Sequence, residues 1–296
     1  MAKPRELRRR IKSVQSTRKI TKTMELVATS KLKRAQDRVI AARPYAAALA
    51  DVIGDLYAPE LAERFPLLRQ PGGGGAIRRA ALVVITSNRG LCGAFNASLI
   101  REGRRQIEQL ESAGVAVDLH LIGKKGITYF KFAKRPIASQ RTDIGDKPTA
   151  AHAAEVMNPL MAQFEAGAVD AVELVFPQFK SAVSTPPTTV RILPVAPPPA
   201  VEGGRGRQRA INYILRPSAD AILEQLLPLY VRNQLYRALV ETVAAFYGAQ
   251  RTAMKSATDN AGEMLDILQR TYNRARQTQI TQELAEIVGG AEALKG

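Results

Sequence analysis

Residues 222–275 read ILEQLLPLYVRNQLYRALVETVAAFYGAQRTAMKSATDNAGEMLDILQRTYNRA, and stepping alternately by four and three through them decides the fold. The steps land on Ile222, Leu226, Leu229, Asn233, Tyr236, Val240, Val243, Tyr247, Gln250, Met254, Ala257, Ala261, Met264, Leu268, Thr271 and Ala275, of which thirteen are apolar. A period of about 3.5 held over so many turns is the seam of a coiled coil rather than the broader stripe of a globular helix. From Ile280 a second series begins, Ile280, Leu284, Ile287, Ala291 and Leu294, displaced by one residue. That displacement turns the apolar stripe roughly 100° around the helix. One helix thus offers two faces to two partners. Unbroken from 222 to 294 it would be on the order of 110 Å long, which predicts that it protrudes beyond a compact domain.

The other end of the chain carries a matching series: Leu7, Ile11, Val14, Arg18, Thr21, Glu25, Ala28, Leu32, Ala35, Val39, Ala42, Ala46, Leu49, Ile53 and Leu56. Pro4 suits a first helical position, and Glu6 falls in the first turn, near the positive end of the helix dipole. Across residues 18–25 the apolar residues shift to Ile20, Met24 and Val27, ringed by Lys19, Lys22 and Lys31. Small residues at Ala28, Ala35, Ala42 and Ala46 admit a closely packed partner helix, and Pro44 predicts a kink rather than a stop, because the pattern resumes beyond it.

Between the two series the punctuation changes. Pro59, Pro66, Pro71 and the glycines at 72–75 read as a linker. Strands are expected at 80–86, 115–122, 137–142, 171–176 and 188–194, and helices at 97–112, 126–133 and 149–165. Such alternation predicts an open, largely parallel sheet with helices on its faces. Residues 194–209 hold four prolines, three glycines and three arginines and read as a loop. Ser218 can cap the second long helix with Asp220 in its first turn, and Pro228 implies a bend or a later start. The expected architecture is therefore α/β: a long antiparallel coiled coil of the N- and C-terminal helices with an inserted Rossmann-like open α/β domain. Its expected divisions are 1–57 (helix), 58–79 (linker), 80–194 (α/β domain), 195–219 (Pro/Gly-rich loop and lead-in) and 220–296 (helix).

The chain has 296 residues, 46% of them hydrophobic, which fits folded domains rather than disorder. Its apolar runs are too short to span a bilayer, and residues 1–11 lack the apolar core of a signal peptide. Cys92 is the only cysteine, so no internal disulfide forms and a reducing compartment fits; His120 and His152 are too isolated for a metal site. The formal charge is +16, and residues 1–38 alone hold thirteen Lys and Arg against Glu6, Glu25 and Asp37, a net of +10. Such a field draws nucleic acid, anionic lipid or an acidic protein surface. Arg8, Arg9 and Arg10 point in three directions, and residues 1–42 contain no aromatic residue, so a protein-facing or solvated charge outweighs nucleic-acid reading.

The one tempting chemical site is the turn Ser87-Asn88-Arg89-Gly90-Leu91-Cys92-Gly93, which follows a strand and opens towards a helix. Glycines there can cradle phosphate. The spacing is only GxxG, without a Walker pattern or an acidic ribose partner, so the plainer reading is a tight turn. Gly123-Lys124-Lys125-Gly126 is a weaker signal of the same kind. No nucleophile elbow accompanies the histidines, and His120 reads as a strand residue. No catalytic, cofactor-binding or metal-binding residue is expected.

Three groups of words carry a resemblance over nearly the whole chain. The N-terminal ones are Ile11-Lys12-Ser13-Val14-Gln15, Lys19-Ile20-Thr21-Lys22-Thr23-Met24-Glu25-Leu26-Val27-Ala28 and Arg43-Pro44-Tyr45; the central one is Arg89-Gly90-Leu91-Cys92-Gly93. The C-terminal ones are Met254-Lys255-Ser256-Ala257-Thr258-Asp259-Asn260, Ala275-Arg276-Gln277 and Ile280-Thr281-Gln282-Glu283-Leu284-Ala285-Glu286-Ile287-Val288. With these in order, the sequence resembles the gamma subunit of the rotary proton-translocating ATP synthase.

The resemblance implies a non-catalytic rotor shaft. In that family the terminal helices stand inside a ring of three alpha and three beta subunits, catalysis belongs to beta, and the α/β domain makes a foot on the membrane ring of c subunits. It implies alpha, beta, epsilon and the c-ring as partners, no cofactor, no nucleic acid, and membrane association through the c-ring only. The implied location is the cytoplasmic face of the bacterial plasma membrane, peripherally held. By resemblance Met24, Arg276, Gln277 and Thr281 meet acidic loops of beta, and Leu284, Ile287 and Val288 form a bearing tip. Members from photosynthetic organelles carry a regulatory cysteine pair near residues 194–209; with only Cys92 present, that redox switch is expected to be absent. The reading from a different class is a nucleotide-dependent α/β enzyme with a coiled-coil oligomerisation stalk.

Overall fold

The computed structural model describes residues 4–56, 64–69, 77–195 and 219–293. The expected linker core, most of the Pro/Gly-rich loop, the Ser218 cap and Leu294 lie outside the described residues, as does the place of the organelle cysteine pair beyond Val195. In chain order the elements are α1 (Pro4–Leu56), a 3-10 turn (Pro66–Leu68), β1 (Arg79–Ile85), α2 (Phe95–Ser112), β2 (Ala116–Ile122) and α3 (Lys124–Phe132). They continue with β3 (Ser139–Arg141), α4 (Ala150–Glu165), β4 (Ala171–Pro177), β5 (Pro187–Leu193) and α5 (Ala219–Ala293). Among the described residues no helix is long and apolar enough to cross a membrane.

Backbone proximity divides the chain into two compact units, 31–249 and 1–30 with 250–296. The larger unit contains a five-stranded sheet ordered β3-β2-β1-β4-β5, parallel except for the antiparallel β4–β5 pair. All seven residues of β4 and the last six of β1 are buried, because helices cover both faces of these central strands. Leu82, Val84, Leu119 and Leu121 face α2 and α3 through Ile107, Ile127 and Phe130. Ala81, Val83, Val172 and Leu174 share the opposite core with Met157, Leu160 and Phe164 of α4, Leu49 and Ile53 of α1, and Leu227, Val231, Leu235 and Leu239 of α5. Two crossovers through α2 and α3 go one way from β1 and the third, through α4, goes back past it, which under right-handed connection puts α4 on the other face.

Thr149 and His152 close a reciprocal capping box at the start of α4: Thr149 Oγ1 accepts from His152 N at 3.3 Å, and Thr149 N donates to His152 Nδ1 at 3.2 Å. His152 is thus a cap. His120, on β2, is buried with Nδ1 at 2.7 Å from Ser139 Oγ, and burial holds its pKa below the usual histidine value.

The burial of α1 follows the sequence series closely. Its buried residues are Leu7, Ala28, Leu32, Ala35, Val39, Leu49 and Ile53, all members of the heptad row. Pro44 lies inside this helix, which continues to Leu56. In α5 the row differs from the expected one. Leu223, Leu227, Val231 and Leu235 are buried where Ile222, Leu226, Leu229 and Asn233 were expected, and Leu229 is exposed. Further along, Met254, Thr258, Ala261 and Leu265 are buried while Met264 is 54% exposed. A threonine can take a seam position because Thr258 Oγ1 lies 2.8 Å from both Met254 O and Thr21 Oγ1. With its hydroxyl satisfied it loses little on burial, a condition that counting apolar residues overlooks. Helix α5 begins nine residues before Pro228, which it accommodates internally.

Candidate partner-contact surface

In an open α/β sheet a ligand is expected at the carboxyl ends of the strands, where the strand order reverses, here beyond β1 and β4. That place is filled by the chain itself. Leu239, Thr242, Val243 and Phe246 of α5 line it together with Ile85, Ser87, Asn88, Ile122 and Asp146, leaving a cavity of about 50 Å³. This volume is in the range of one or two waters, far below a nucleotide site.

The backbone amides that could hold a phosphate are also taken. At the start of α3, Lys124 N donates to Asn88 Oδ1 at 2.9 Å, Lys125 N to Ser87 O at 3.1 Å, and Gly126 N to Thr86 Oγ1 at 2.9 Å. A Cβ at Gly123 would fall 2.1 Å from Thr86 O, and φ there is +100°. Glycine at 123 therefore permits one turn to press against another, leaving no cradle. Asn96 closes the Ser87–Gly93 turn from the helix side: Ser87 N donates to Asn96 Oδ1 at 3.0 Å, and Asn96 Nδ2 donates to Ser87 Oγ at 2.9 Å. Cys92 is buried, and burial pushes its thiol pKa up, so it is a packed thiol and not a nucleophile.

Arg89 and Asp146 give this turn its use. Asp146 Oδ2 accepts from Tyr247 Oη at 2.5 Å and from Lys31 Nζ at 3.4 Å, while its other oxygen is paired with Arg89. Tyr247 Oη in turn accepts from Arg89 Nη2 at 2.8 Å and Lys31 Nζ at 3.2 Å. Burial alone would raise the Asp146 pKa, but the hydrogen bonds from Tyr247 and Arg89 outweigh it and hold the carboxyl below its usual value. One carboxylate thus joins α1, α5 and the end of β1. Glu241, a buried acid, accepts from Phe179 N at 2.9 Å and Arg237 Nε at 2.7 Å and fixes α5 to the turn after β4. The sequence reading singled out Arg89 and passed over Asp146 and Glu241. It counted Tyr247 as a seam residue, although a phenol in an apolar run signals a hydroxyl in need of a partner.

The residues expected to touch other subunits all belong to the smaller unit. Met24 is half-buried on α1 between exposed Ile20 and Val27. Arg276, Gln277 and Thr281 are exposed on α5, with Gln277 and Thr281 one turn apart and linked by Thr281 Oγ1 donating to Gln277 O at 3.0 Å. Leu284, Ile287 and Val288 are exposed too, Ile287 to 68%. Every residue from 276 to 291 is exposed.

A sequence model of the family described as ATP synthase matches residues 3–294. The ATP synthase gamma chain of Gemmatimonas aurantiaca is 62% identical over 297 residues, covering 100% of both chains. The chain belongs to the ATP synthase gamma-chain family. The gamma chain of Leptospira biflexa is 42% identical over 99% of this chain and 100% of its own. Chains of two solved structures share the fold. One, in the Euglena gracilis mitochondrial ATP synthase OSCP/F1/c-ring, has a TM-score of 0.67 at 18% identity, covering 98% of this chain and 94% of that one. Another, in the Tetrahymena thermophila mitochondrial ATP synthase central stalk and c-ring, has a TM-score of 0.57 at 24% identity, covering 80% and 99%.

Proposed function

We propose that this chain is the central rotor shaft of a proton-translocating ATP synthase, coupling rotation of the membrane c-ring to conformational change in the catalytic beta subunits. Full-length identity of 62% to an ATP synthase gamma chain carries this reading. The subunit itself is non-catalytic. An asymmetric shaft couples to catalysis because its contacts with each beta differ with angle, so each angle favours a different beta conformation and nucleotide affinity.

The shaft is an antiparallel coiled coil of residues 1–57 and 220–296, with 58–79 as linker, 80–194 as the α/β domain that makes the foot, and 195–219 as a loop. Within the smaller unit the Thr21–Thr258 hydrogen bond and the approach of Gly262 to Arg18 support opposite helix directions. Continuing that register, Pro4, seventeen residues before Thr21, stands against Ala275, seventeen beyond Thr258. Past Ala275 no turn of α1 is left to cover α5. Arg276, Gln277 and Thr281, with Met24, then meet acidic loops of beta, and Leu284, Ile287 and Val288 turn in an apolar sleeve of the alpha–beta ring. Apolar contacts suit a bearing because they are non-directional, so no angle is strongly favoured.

Three alpha and three beta subunits, epsilon and the c-ring are the partners, at the cytoplasmic face of a bacterial plasma membrane. Purification of the tagged chain from native membrane tests the reading. It is expected to elute with alpha and beta in a particle that hydrolyses ATP, and elution without them would refute it.

A further inference from the structure

Helix α3 ends in a Schellman motif: Lys134 N donates to Lys131 O and Arg135 N to Phe130 O, each at 3.0 Å. The residue that takes the left-handed conformation there is Lys134, with φ +54°, a place where glycine is the unstrained choice. A cation thus stands at a position where the backbone favours glycine. Arg135 pins the turn through a two-bond pair with Glu111 at 2.6 and 2.7 Å. Just before it, Phe132 is 86% exposed. Lys124, Lys131 and Phe132 are all exposed: the two lysines flank the buried Ile127, three residues before and four after it, and Phe132 points away from the buried Phe130. Among the described residues the ammonium groups of Lys124, Lys131 and Lys134 have no ion-pair partner.

We propose that this cationic face of α3, with Phe132 as its apolar tip, contacts an anionic phospholipid surface. Charge complementarity selects an anionic occupant. Phe132 projects from a convex helix face, whereas peptide recognition places the pocket on the receiving protein. A bilayer interface receives a projecting aromatic flanked by lysines, whose ammonium groups stay among headgroup phosphates while the ring enters the acyl boundary. Such a surface is fluid and gives no fixed angular register. This contact is additional to the one through the c-ring and rests on the side chains of α3 and the turn that ends it.

The chain contains no tryptophan, so Phe132→Trp creates a single reporter in the full-length protein. With phosphatidylglycerol vesicles its emission is expected to shift to the blue and to be quenched by brominated acyl chains, and with phosphatidylcholine neither is expected. Lys131→Ser and Lys134→Ser in this background should each raise the lipid concentration needed for half-maximal quenching of that reporter roughly fivefold. The net charge of +10 on residues 1–38 attracts anionic vesicles as well, so the blue shift and quenching at position 132, not the bound fraction, are the readout. Vesicle binding with unquenched, unshifted emission would overturn the proposal. So would a shifted but unquenched reporter in the assembled, membrane-bound complex, because a protein then covers Phe132. Either result leaves the rotor reading untouched, since that stands on co-elution with alpha and beta.

Discussion

In α5, residues 238–242 and 244–247 are buried, whereas every residue from 276 to 291 is exposed, although both stretches carry large apolar side chains. The first is held by its own chain. Ala238 and Leu239 join the sheet core, Glu241 binds the turn after β4, and Tyr247 reaches Asp146. The second has Ile280, Leu284, Ile287 and Val288 in the open. Apolar content alone does not say whether a helix is finished within its chain; the neighbours that cover it do.

Substitutions of similar size should therefore behave oppositely at the two places. Leu239→Ala removes a side chain that is 2% exposed and should lower the unfolding free energy by about 2–5 kcal/mol in denaturant titration of the free chain. Ile287→Ala should stay within about 0.5 kcal/mol in the same assay. Equal losses at both would remove the distinction.

Ile287→Asp moves the test to the assembled complex. A carboxylate placed in an apolar sleeve without a partner costs several kcal/mol, on the order of the desolvation of a buried ion. Proton-driven ATP synthesis in membrane vesicles should fall strongly, whereas Ile287→Leu should remain near the parent. Parental synthesis by the Asp variant would mean that this end of α5 is solvated.

Arg276→Ala should have a smaller effect, about 1.5–3 kcal/mol if its guanidinium donates to a carboxylate of beta in a desolvated contact. ATP turnover by the complex should drop, and the thermal unfolding of the free chain should not move. The reverse pattern would make Arg276 a residue of the fold.

The smallest effect concerns acid. Burial depresses the His120 pKa in the folded chain, so the unfolded chain binds its proton first as pH falls. Stability from this group is complete above about pH 6.5, the ordinary histidine value, and declines below it until the folded pKa is passed. His120→Phe should flatten that part of the stability–pH curve measured by urea unfolding. An unchanged slope would show that another group titrates there.

The central α/β strands were legible because each sits on a short apolar run with helix-forming sequence between: the strands expected at 80–86 and 171–176 appear as Arg79–Ile85 and Ala171–Pro177. Helix α1 was legible because its covered side is narrow and keeps one period from Leu7 to Ile53. The same count misplaced the row in α5 over 222–235 and at Met264, while Val240, Tyr247, Met254 and Ala261 are buried as counted. Around 238–247 several neighbours surround the helix, so one stripe is not the right template, and at Thr258 a hydrogen bond licenses burial of a polar residue. The lock around Asp146 escaped because its members, Lys31, Arg89, Asp146 and Tyr247, come from four distant places in sequence.

The Thr21–Thr258 hydrogen bond joins residues 237 apart, so α1 is made long before the stretch it pairs with. At roughly 5–20 residues per second, a ribosome needs on the order of tens of seconds to deliver that stretch. The α/β strands between them are made earlier, and their core closes with Leu49 and Ile53 of α1 once Leu227, Val231, Leu235 and Leu239 of α5 follow, while the first turns of α1 still wait. During this interval Leu7 and Ala28, buried in the finished chain, face solvent or a chaperone, and the slow closure of so large a loop comes last. The pairing of Thr21 with Thr258 is thus among the last contacts the chain can make, although Thr21 is made before any strand of the sheet.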